Sequence, residues 1–191
     1  MNDEIAIACR GFRISRREVK TVLKRLRERA PWEFPAGSLS VAFADDARTC
    51  ALHARFLNDP SKTDVITFPG DEVFAAPRRR DVPAEPASRR RAARSRGGDD
   101  DAFAGEIVVC VPQATRAAAQ FGTTPADELL LYLVHGWLHL AGLDDIAEDD
   151  RARMRAAEAE ALEILRAAGA APFSRVVFPK ISESFNEKSS T

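Results

Sequence analysis

The sequence is poor in the residues that define several specialised protein classes. Its 191 residues include only three cysteines, and none of them forms a Cys-x-x-Cys pair or neighbours a histidine. This argues against a disulfide framework and a cysteine zinc site, so we expect Cys9, Cys50 and Cys110 to be small buried residues of a cytoplasmic protein. No apolar run reaches the ~18 residues of a membrane span, and Asp3 and Glu4 occur early in the chain, where a secretion signal has basic residues. We therefore expect no contact with membranes.

Excess charge is also missing over the whole chain, but not locally. The formal net charge is −1, which gives the molecule as a whole no attraction for nucleic acid. Between Arg10 and Arg29, however, nine basic residues stand against two acidic ones. This segment predicts a helix with a basic face, which is either an ordinary solvated surface or a contact for an RNA backbone. The candidates for such a contact are Arg13, Lys20 and Lys24.

Apolar patterning predicts one domain over residues 1–172, built from strands and helices. Residues 75–102 contain arginine and aspartate runs between prolines and glycines, which predicts a disordered insertion in that domain. Residues 173–191 are predicted to be a C-terminal tail with little to pack. Ser15 predicts the start of the first helix, and Glu18 is expected to complete a capping box. Strands are predicted at 5–9, 39–43, 64–68 and 106–111, and further helices at 48–57, after Pro112, after Thr124 and at 148–168.

The clearest chemical signal is a pair of histidines on an apolar helix. Thr124 can cap this helix, and its body from Leu129 is apolar on all sides, which predicts a central position in the protein. His135 and His139 are four residues apart. On a helix their side chains therefore point the same way, about 6 Å apart along the axis and about 40° apart around it. Two imidazoles in an apolar setting are costly unless their nitrogens have partners, and a divalent metal ion is a good partner.

The residues after the histidines supply a third ligand. Gly142 can end the helix in a left-handed conformation, so that the chain turns back and Asp145 reaches the same ion. The spacing from His135 to Asp145 matches the H-E-x-x-H-x-x-G-x-x-H metal site of metzincin proteases at the ligands and the glycine. Gly136 replaces the glutamate that serves those proteases as general base, which argues against peptide hydrolysis. A glycine inside a buried helix predicts either a close neighbour or room for a substrate.

Three segments together resemble the YbeY family: H-G-W-L-H-L-A-G-L-D-D from His135, T-D-V-I-T-F-P from Thr63 and G-E-I-V-V from Gly105. Members of this family are metal-dependent single-strand endoribonucleases that mature bacterial ribosomal RNA. The resemblance implies a single α+β domain of zincin-like fold, with a mixed β-sheet packed against helices and a central metal-ligating helix. It also implies one divalent metal ion per chain, with Zn²⁺ as the expected ion, and an electropositive channel for single-stranded or ribosomal RNA. Components of the small ribosomal subunit are the further partners that it implies.

Two positions depart from the family pattern. The family's usual third ligand is a histidine, whereas this chain has Asp145, and a carboxylate should make the ion a weaker Lewis acid than a third imidazole would. Two histidines and one carboxylate also suit iron or manganese. The second departure is Leu57, at a position where the family has an arginine suited to clamp a phosphate. Arg55 or an arginine of the first helix is a candidate to replace it.

These observations favour a metal-dependent endoribonuclease, a hydrolase of phosphodiester bonds, that acts in ribosomal-RNA maturation and ribosome quality control. Asp144, Asp64 and Glu106 are the candidates for the catalytic general base, because they lie near the histidine motif or within the family-like segments. Two alternatives stay open. One is a non-catalytic ribosome-assembly factor in which the metal only staples the end of the helix, and the other is a metal-dependent protease or amidase.

Overall fold

The computed structural model describes residues 2–70, 102–171 and 173–179. Over these residues it contains a four-stranded sheet, a two-stranded sheet and five α-helices, so the predicted α+β class is confirmed. Apart from residue 102, the predicted insertion lies outside the described residues, as do residues 180–191 of the predicted tail. None of the described helices combines the length and the apolar character needed to cross a membrane.

The elements follow the predicted order closely. The second helix begins two residues before its predicted start, because the carboxylate of Asp45 accepts a hydrogen bond from the backbone N–H of Arg48 and so caps the helix one residue before Asp46. In chain order the elements are β1 Glu4–Ala8, β2 Arg13–Ile14, α1 Arg16–Arg29, β3 Ser38–Ala44, α2 Asp46–Leu57, β4 Val65–Pro69, β5 Phe103–Cys110, α3 Val111–Phe121, α4 Pro125–Leu140, α5 Glu148–Ala167 and β6 Val176–Val177.

The main sheet is mixed, as predicted, and has the strand order β1-β3-β5-β4. Strands β1, β3 and β5 are parallel, whereas β4 is an edge strand that runs antiparallel to β5, with Val65 opposite Val109. The backbone N–H of Cys110 also donates a hydrogen bond of 2.7 Å to the carbonyl of Asp64, which fixes the start of β4 to the end of β5. Two of the segments that carry the family resemblance are therefore neighbouring strands.

The two faces of this sheet are covered very differently. Successive residues of a strand point to opposite faces, so each strand contributes to both. On the face that we call the α4 face, Phe43 and Ile107 lie in the main core with residues of α1, α4 and α5. On the opposite face, which we call the α2 face, Ile66 and Val108 belong to a small separate cluster against which Leu52 of α2 packs. The α4 face therefore carries most of the core.

Helix α4 is fixed at both ends and buried along its length. The hydroxyl of Thr124 accepts a hydrogen bond from the backbone N–H of Asp127 at 3.2 Å, which confirms the predicted cap. At the other end Gly142 has a φ of 94°, a conformation that costs glycine little, and its N–H donates to the carbonyl of His139. Leu133 and Trp137 in between are completely buried. The predicted central helix and its turn are thus both present.

The beginning of the predicted tail packs against the domain, contrary to the prediction. Phe173 is buried, and β6 pairs with β2 in the two-stranded sheet. The hydroxyl of Ser15 caps α1 by accepting from the N–H of Glu18, but the Glu18 carboxylate does not complete a capping box. It accepts hydrogen bonds from the hydroxyl of Ser174 and the N–H of Arg175 instead. The start of α1 is therefore a docking point for this segment.

The cysteines behave largely as predicted. All three are free, and Cys9 and Cys110 are buried whereas Cys50 is half-buried. Burial raises the pKa of the Cys9 and Cys110 thiols to about 11. These two side chains therefore stay protonated at neutral pH and act as small packed residues.

Candidate metal centre

The structure brings the two histidines of α4 together at one end of the helix. The Nε2 atoms of His135 and His139 are 2.9 Å apart, and the rings meet edge to face with an interplanar angle of 81°. Their side chains are 19% and 23% exposed, so the site lies at the margin of the core rather than inside it. A small ion or a substrate group can therefore reach the nitrogens from solvent.

Asp145 completes the cluster from the loop after α4. Its carboxylate oxygens lie 3.7 Å from Nε2 of His135 and 3.8 Å from Nε2 of His139. One ligand atom from each of the three residues lies within 4.8 Å of the other two. The turn at Gly142 makes this approach possible, because it reverses the chain directly after the helix. The side chain of Asp145 is 42% exposed, which places the carboxylate on the solvent side of the cluster.

The hydrogen bonds of the two Nδ1 atoms determine the protonation of the Nε2 atoms that face each other. Nδ1 of His139 lies 3.0 Å from the carbonyl of Leu143, and Nδ1 of His135 lies 2.6 Å from Oε1 of Glu158. A carbonyl and a carboxylate only accept hydrogen bonds, so in the neutral rings both protons sit on Nδ1. The two Nε2 lone pairs then face each other, which is unfavourable without a cation between them.

The donor set fits a divalent metal ion. Zinc takes histidine nitrogens at ~2.0–2.1 Å in tetrahedral geometry, which separates two nitrogen ligands by about 3.3 Å. The 2.9 Å between the Nε2 atoms is close to that separation. Two imidazoles and a carboxylate also leave a fourth position for water or substrate. His135, His139 and Asp145 can therefore hold one ion, with both rings already oriented by their outer hydrogen bonds.

The surroundings of the two histidines shift their pKa values in opposite directions. Burial lowers the pKa of His135, but the hydrogen bond and the negative charge of Glu158 outweigh it, so the pKa lies above its ordinary value. For His139, burial and the neighbouring charge of His135 both act in the same direction and lower the pKa. The difference follows from the partners of the two Nδ1 atoms, an anionic carboxylate in one case and a neutral carbonyl in the other.

Gly136 lets α4 approach the sheet next to this cluster. A Cβ atom at this position would lie 2.7 Å from Cγ2 of Ile107, 3.1 Å from Cγ2 of Val65 and 3.2 Å from Cγ2 of Thr67. The sequence predicts either a close neighbour or room for a substrate at this glycine, and the structure shows the close neighbour. A glutamate at position 136 would collide with these three side chains of β4 and β5, so the metzincin general base does not fit here without shifting them.

The sequence matches the family model described as "Endoribonuclease YbeY" over residues 9–166. The chain belongs to the YbeY family. The protein named "Endoribonuclease YbeY" from Acidothermus cellulolyticus is 35% identical over 133 residues, which cover 70% of this chain and 73% of that relative. The protein of the same name from Mycolicibacterium smegmatis is 33% identical over 153 residues, which cover 80% of this chain and 77% of that relative. The resemblance stated from three sequence segments is thus confirmed.

The structure separates the three candidate bases of this YbeY family member. Asp64 lies at the start of β4, and its charge raises the pKa of His135, whereas Asp144 is exposed and accepts a hydrogen bond of 2.8 Å from the N–H of Asp145. Glu106 does not join the histidines. Its neighbour Gly105 faces Leu140 of α4, so Glu106 points to the α2 face, where it accepts from the hydroxyl of Ser40. Geometry therefore removes Glu106 from the set.

The basic candidates lie on β2, α1 and α2, whereas the histidine cluster is built from α4 and the loop that follows it. Arg13 and Lys20 are exposed, while Lys24 forms an ion pair of 3.7 Å with Glu28. Arg55 stacks over the ring of Phe56 at 5.2 Å and lines a cavity of about 490 Å³ on the α2 face. The structure therefore does not bring Arg55 to the metal centre as a replacement for the family's arginine. Leu57, at the position of that arginine, is 58% exposed at the end of α2.

Neither of the two groups that orient the histidines was predicted from the sequence. The Leu143 carbonyl belongs to the backbone and leaves no mark in a sequence. Glu158 did leave a signal, because it lies four residues after Met154 and one after Ala157, which are both buried in α5. A carboxylate on the inward stripe of an amphipathic helix needs a partner, and the histidines are the nearest unexplained polar groups in the motif.

Proposed function

We propose that this protein is a metal-dependent endoribonuclease that cleaves single-stranded RNA in the cytoplasm, in ribosomal-RNA maturation and ribosome quality control. Membership of a family described as endoribonucleases supports the reaction class. The observation that carries the metal dependence is the pair of Nε2 atoms at 2.9 Å, with both Nδ1 atoms engaged elsewhere and Asp145 beside them. Components of the small ribosomal subunit are the partners that this role requires.

The ion that we propose is Zn²⁺, bound by His135, His139 and Asp145. Two nitrogens and one oxygen are ligands that zinc accepts in sites that keep an open position. Such an ion supplies Lewis acidity for attack on a phosphodiester. The residues present contribute a fixed geometry, because α4 holds both rings and the Gly142 turn holds the carboxylate. Iron and manganese suit the same ligand set, and metal analysis distinguishes the three.

Asp64 is the residue that we propose as general base. Its Oδ1 accepts hydrogen bonds from the N–H of Val65 and the hydroxyl of Thr63, which fixes the carboxylate at the start of β4. Its second oxygen can take a proton from the water that attacks phosphorus, while the phosphorus–oxygen bond to the leaving nucleotide breaks. Asp144 is the weaker candidate, since it is exposed on the loop after α4, whereas Asp64 is half-buried.

RNA backbone contacts are assigned to exposed cations on β2, α1 and α2. Arg13 and Lys20 are exposed at the surface of β2 and α1, and we propose them as phosphate contacts. Lys24 can join them when its ion pair with Glu28 opens, because exposed pairs of this kind are weak. Arg55 would contact RNA at the α2 face. Contacts of this type are ionic, so they weaken as salt concentration rises.

The decisive test measures metal content and RNA cleavage on the same purified samples. His139→Ala removes one of the two facing nitrogens, so we expect loss of stoichiometric zinc and of cleavage of a single-stranded RNA. The matched control is His53→Ala. His53 is the remaining histidine of the chain and lies on α2, where its ring binds the carbonyl of Ser61. We expect this variant to keep both properties.

The outcomes separate the proposed function from its two rivals. Stoichiometric zinc in His139→Ala would show that the ligands are wrong. A wild-type protein that binds zinc but turns over no RNA would support the ribosome-assembly factor with a purely structural ion. Cleavage of peptides without cleavage of RNA would support the protease or amidase, against which the tight packing around Gly136 already argues.

A further inference from the structure

A half-buried carboxylate on α5 holds one of the two facing histidines from behind. Oε1 of Glu158 lies 2.6 Å from Nδ1 of His135, which is the short distance of a charge-assisted hydrogen bond. The Glu158 side chain is only 17% exposed, and its neighbours Met154, Ala157 and Ala161 are buried. Among the described hydrogen bonds, the carboxylate is thus committed to the histidine rather than to the protein surface.

The position of this carboxylate determines which nitrogen of His135 is free. Because Glu158 accepts the Nδ1 proton, Nε2 presents its lone pair toward His139 and Asp145. Negative charge behind an imidazole also makes the opposite nitrogen a better donor to a cation. His139 has only the neutral carbonyl of Leu143 in the same role. The two rings are therefore held by partners of different charge.

Helix α5 also holds the loop that carries the third member of the cluster. The guanidinium of Arg151 donates to the carbonyl of Ile146, directly after Asp145, and its backbone N–H donates to the carbonyl of Ala147. The same helix thus holds the loop backbone directly after Asp145 through its first turn, and it holds the His135 ring through Glu158. Helix α5 therefore contacts both parts of the chain that supply the candidate ligands, α4 and the loop that follows it.

We propose that Glu158 is a positioning residue of the metal centre, which sets the orientation and donor strength of His135 and thereby the affinity for the divalent ion. The inference rests on the proposed metal centre and extends it to a residue that does not touch the ion. The competing interpretation is a purely structural ion pair that ties α5 to α4. A structural pair affects the stability of the metal-free protein, whereas a positioning residue affects metal affinity as well.

The test compares zinc affinity in the full-length chain with Glu158→Gln, Glu158→Ala and Glu163→Gln. Gln keeps an oxygen that accepts from Nδ1 but removes the charge, and Ala removes both. Competition with a chromophoric chelator gives the dissociation constant of zinc. We expect it to rise about 10-fold in Glu158→Gln and about 100-fold in Glu158→Ala, the range seen when outer-shell partners of metal ligands are removed. Glu163 lies exposed on the same helix, so its variant should bind as the wild type does.

Two further readouts distinguish the positioning role from a structural one. The visible absorption bands of the cobalt-substituted protein report the ligand field, and we expect them to shift in Glu158→Gln and not in Glu163→Gln. Thermal melting of the metal-free proteins gives the structural part. Lower melting temperatures with unchanged zinc affinity and unchanged cobalt spectra would overturn the inference while leaving the metal centre intact. A wild-type chain that binds no stoichiometric zinc or cobalt would overturn both.

Discussion

The α4 face and the α2 face of the sheet share the same strands but differ in the size of the core that they carry. On the α4 face Leu133 and Trp137 are completely buried, and two of the candidate metal ligands, His135 and His139, lie in the last two turns of α4. On the α2 face α2 is the helix that packs on the small cluster, as far as the described residues show, and a cavity of about 490 Å³ beside it is lined by Arg48, Arg55 and Phe56. Ligands that must stay within a fraction of an ångström of one another thus lie on the side with the larger core. The open side has charge and exposed apolar surface instead.

Alternation along β4 and β5 sends neighbouring residues to these two environments. Ile107 faces Gly136 of α4, whereas Glu106 faces Ser40 and the α2 cavity. Two acidic residues within the family-like segments can therefore have unrelated roles. Asp64 acts electrostatically on His135, and Glu106 does not share a face with it. The difference arises because Glu106 lies within β5 and faces the α2 side, whereas Asp64 precedes the first residue of β4 and is not bound by the alternation of that strand.

The sharpest test of this comparison is a pair of isosteric amides, one for each carboxylate. Asp64→Asn keeps an oxygen for the N–H of Val65 but removes the proton acceptor, so we expect cleavage of single-stranded RNA to fall about 100-fold to 10,000-fold. Glu106→Gln should leave the rate within a factor of two to three of wild type, since its side chain is on the other face. Rates under single-turnover conditions with saturating zinc provide the measurement. Equal losses in both variants would contradict the division of roles.

The local part of the metal centre could be predicted from the sequence. A cap at Thr124, histidines four residues apart and a turn at Gly142 are signals that depend on helix geometry alone, and each is present in the structure. The approach of Asp145 follows from the same turn, because only six residues separate it from His139. Short-range geometry leaves few alternatives, which explains the agreement.

The remaining features depend on contacts between distant residues. Glu158 meets His135 across 23 residues, and Glu18 meets Ser174 across 156. Helical periodicity places Glu158 on the inner stripe of α5 but does not say which residue of α4 lies opposite. The predicted capping box is absent for a related reason. The Glu18 carboxylate binds Ser174 and Arg175, which lie near the other end of the chain. The sequence also did not predict that Glu106 faces away from α4. That depends on how the helix packs against the sheet, which a single segment does not determine.

A matched pair of leucines tests the unequal cores of the two faces. Leu133→Ala on the α4 face removes a completely buried side chain, so we expect a loss of about 2–5 kcal/mol in the free energy of unfolding. Leu52 is only partly buried in the small cluster, so Leu52→Ala should cost about 1 kcal/mol. Urea unfolding of the metal-free proteins measures both values without the contribution of bound ions. Losses of similar size would show that the α2 face carries as much of the stability as the α4 face.

The smallest expected effect concerns the ion pair that joins α2 to α3. Arg116 donates to both carboxylate oxygens of Asp46, at 2.9 and 2.6 Å, and these hydrogen bonds hold the pKa of Asp46 below its ordinary value. A carboxyl whose pKa is depressed by folding stabilises the protein above its unfolded pKa, near 4, and loses this contribution as pH falls through the lower folded pKa. The two side chains are 34% and 30% exposed, so solvent screening limits the pair to about 1 kcal/mol or less.

Urea unfolding at pH 7 and pH 3 measures this contribution. Asp46→Asn should be less stable than wild type at pH 7, and the difference should shrink at pH 3, because this pH lies below the unfolded pKa and the carboxyl of the unfolded chain is then largely protonated. Arg116→Gln alone and combined with Asp46→Asn completes a double-mutant cycle, in which the coupling should be present at pH 7 and reduced in acid. A coupling that does not change with pH would assign the contact to packing between α2 and α3 rather than to charge.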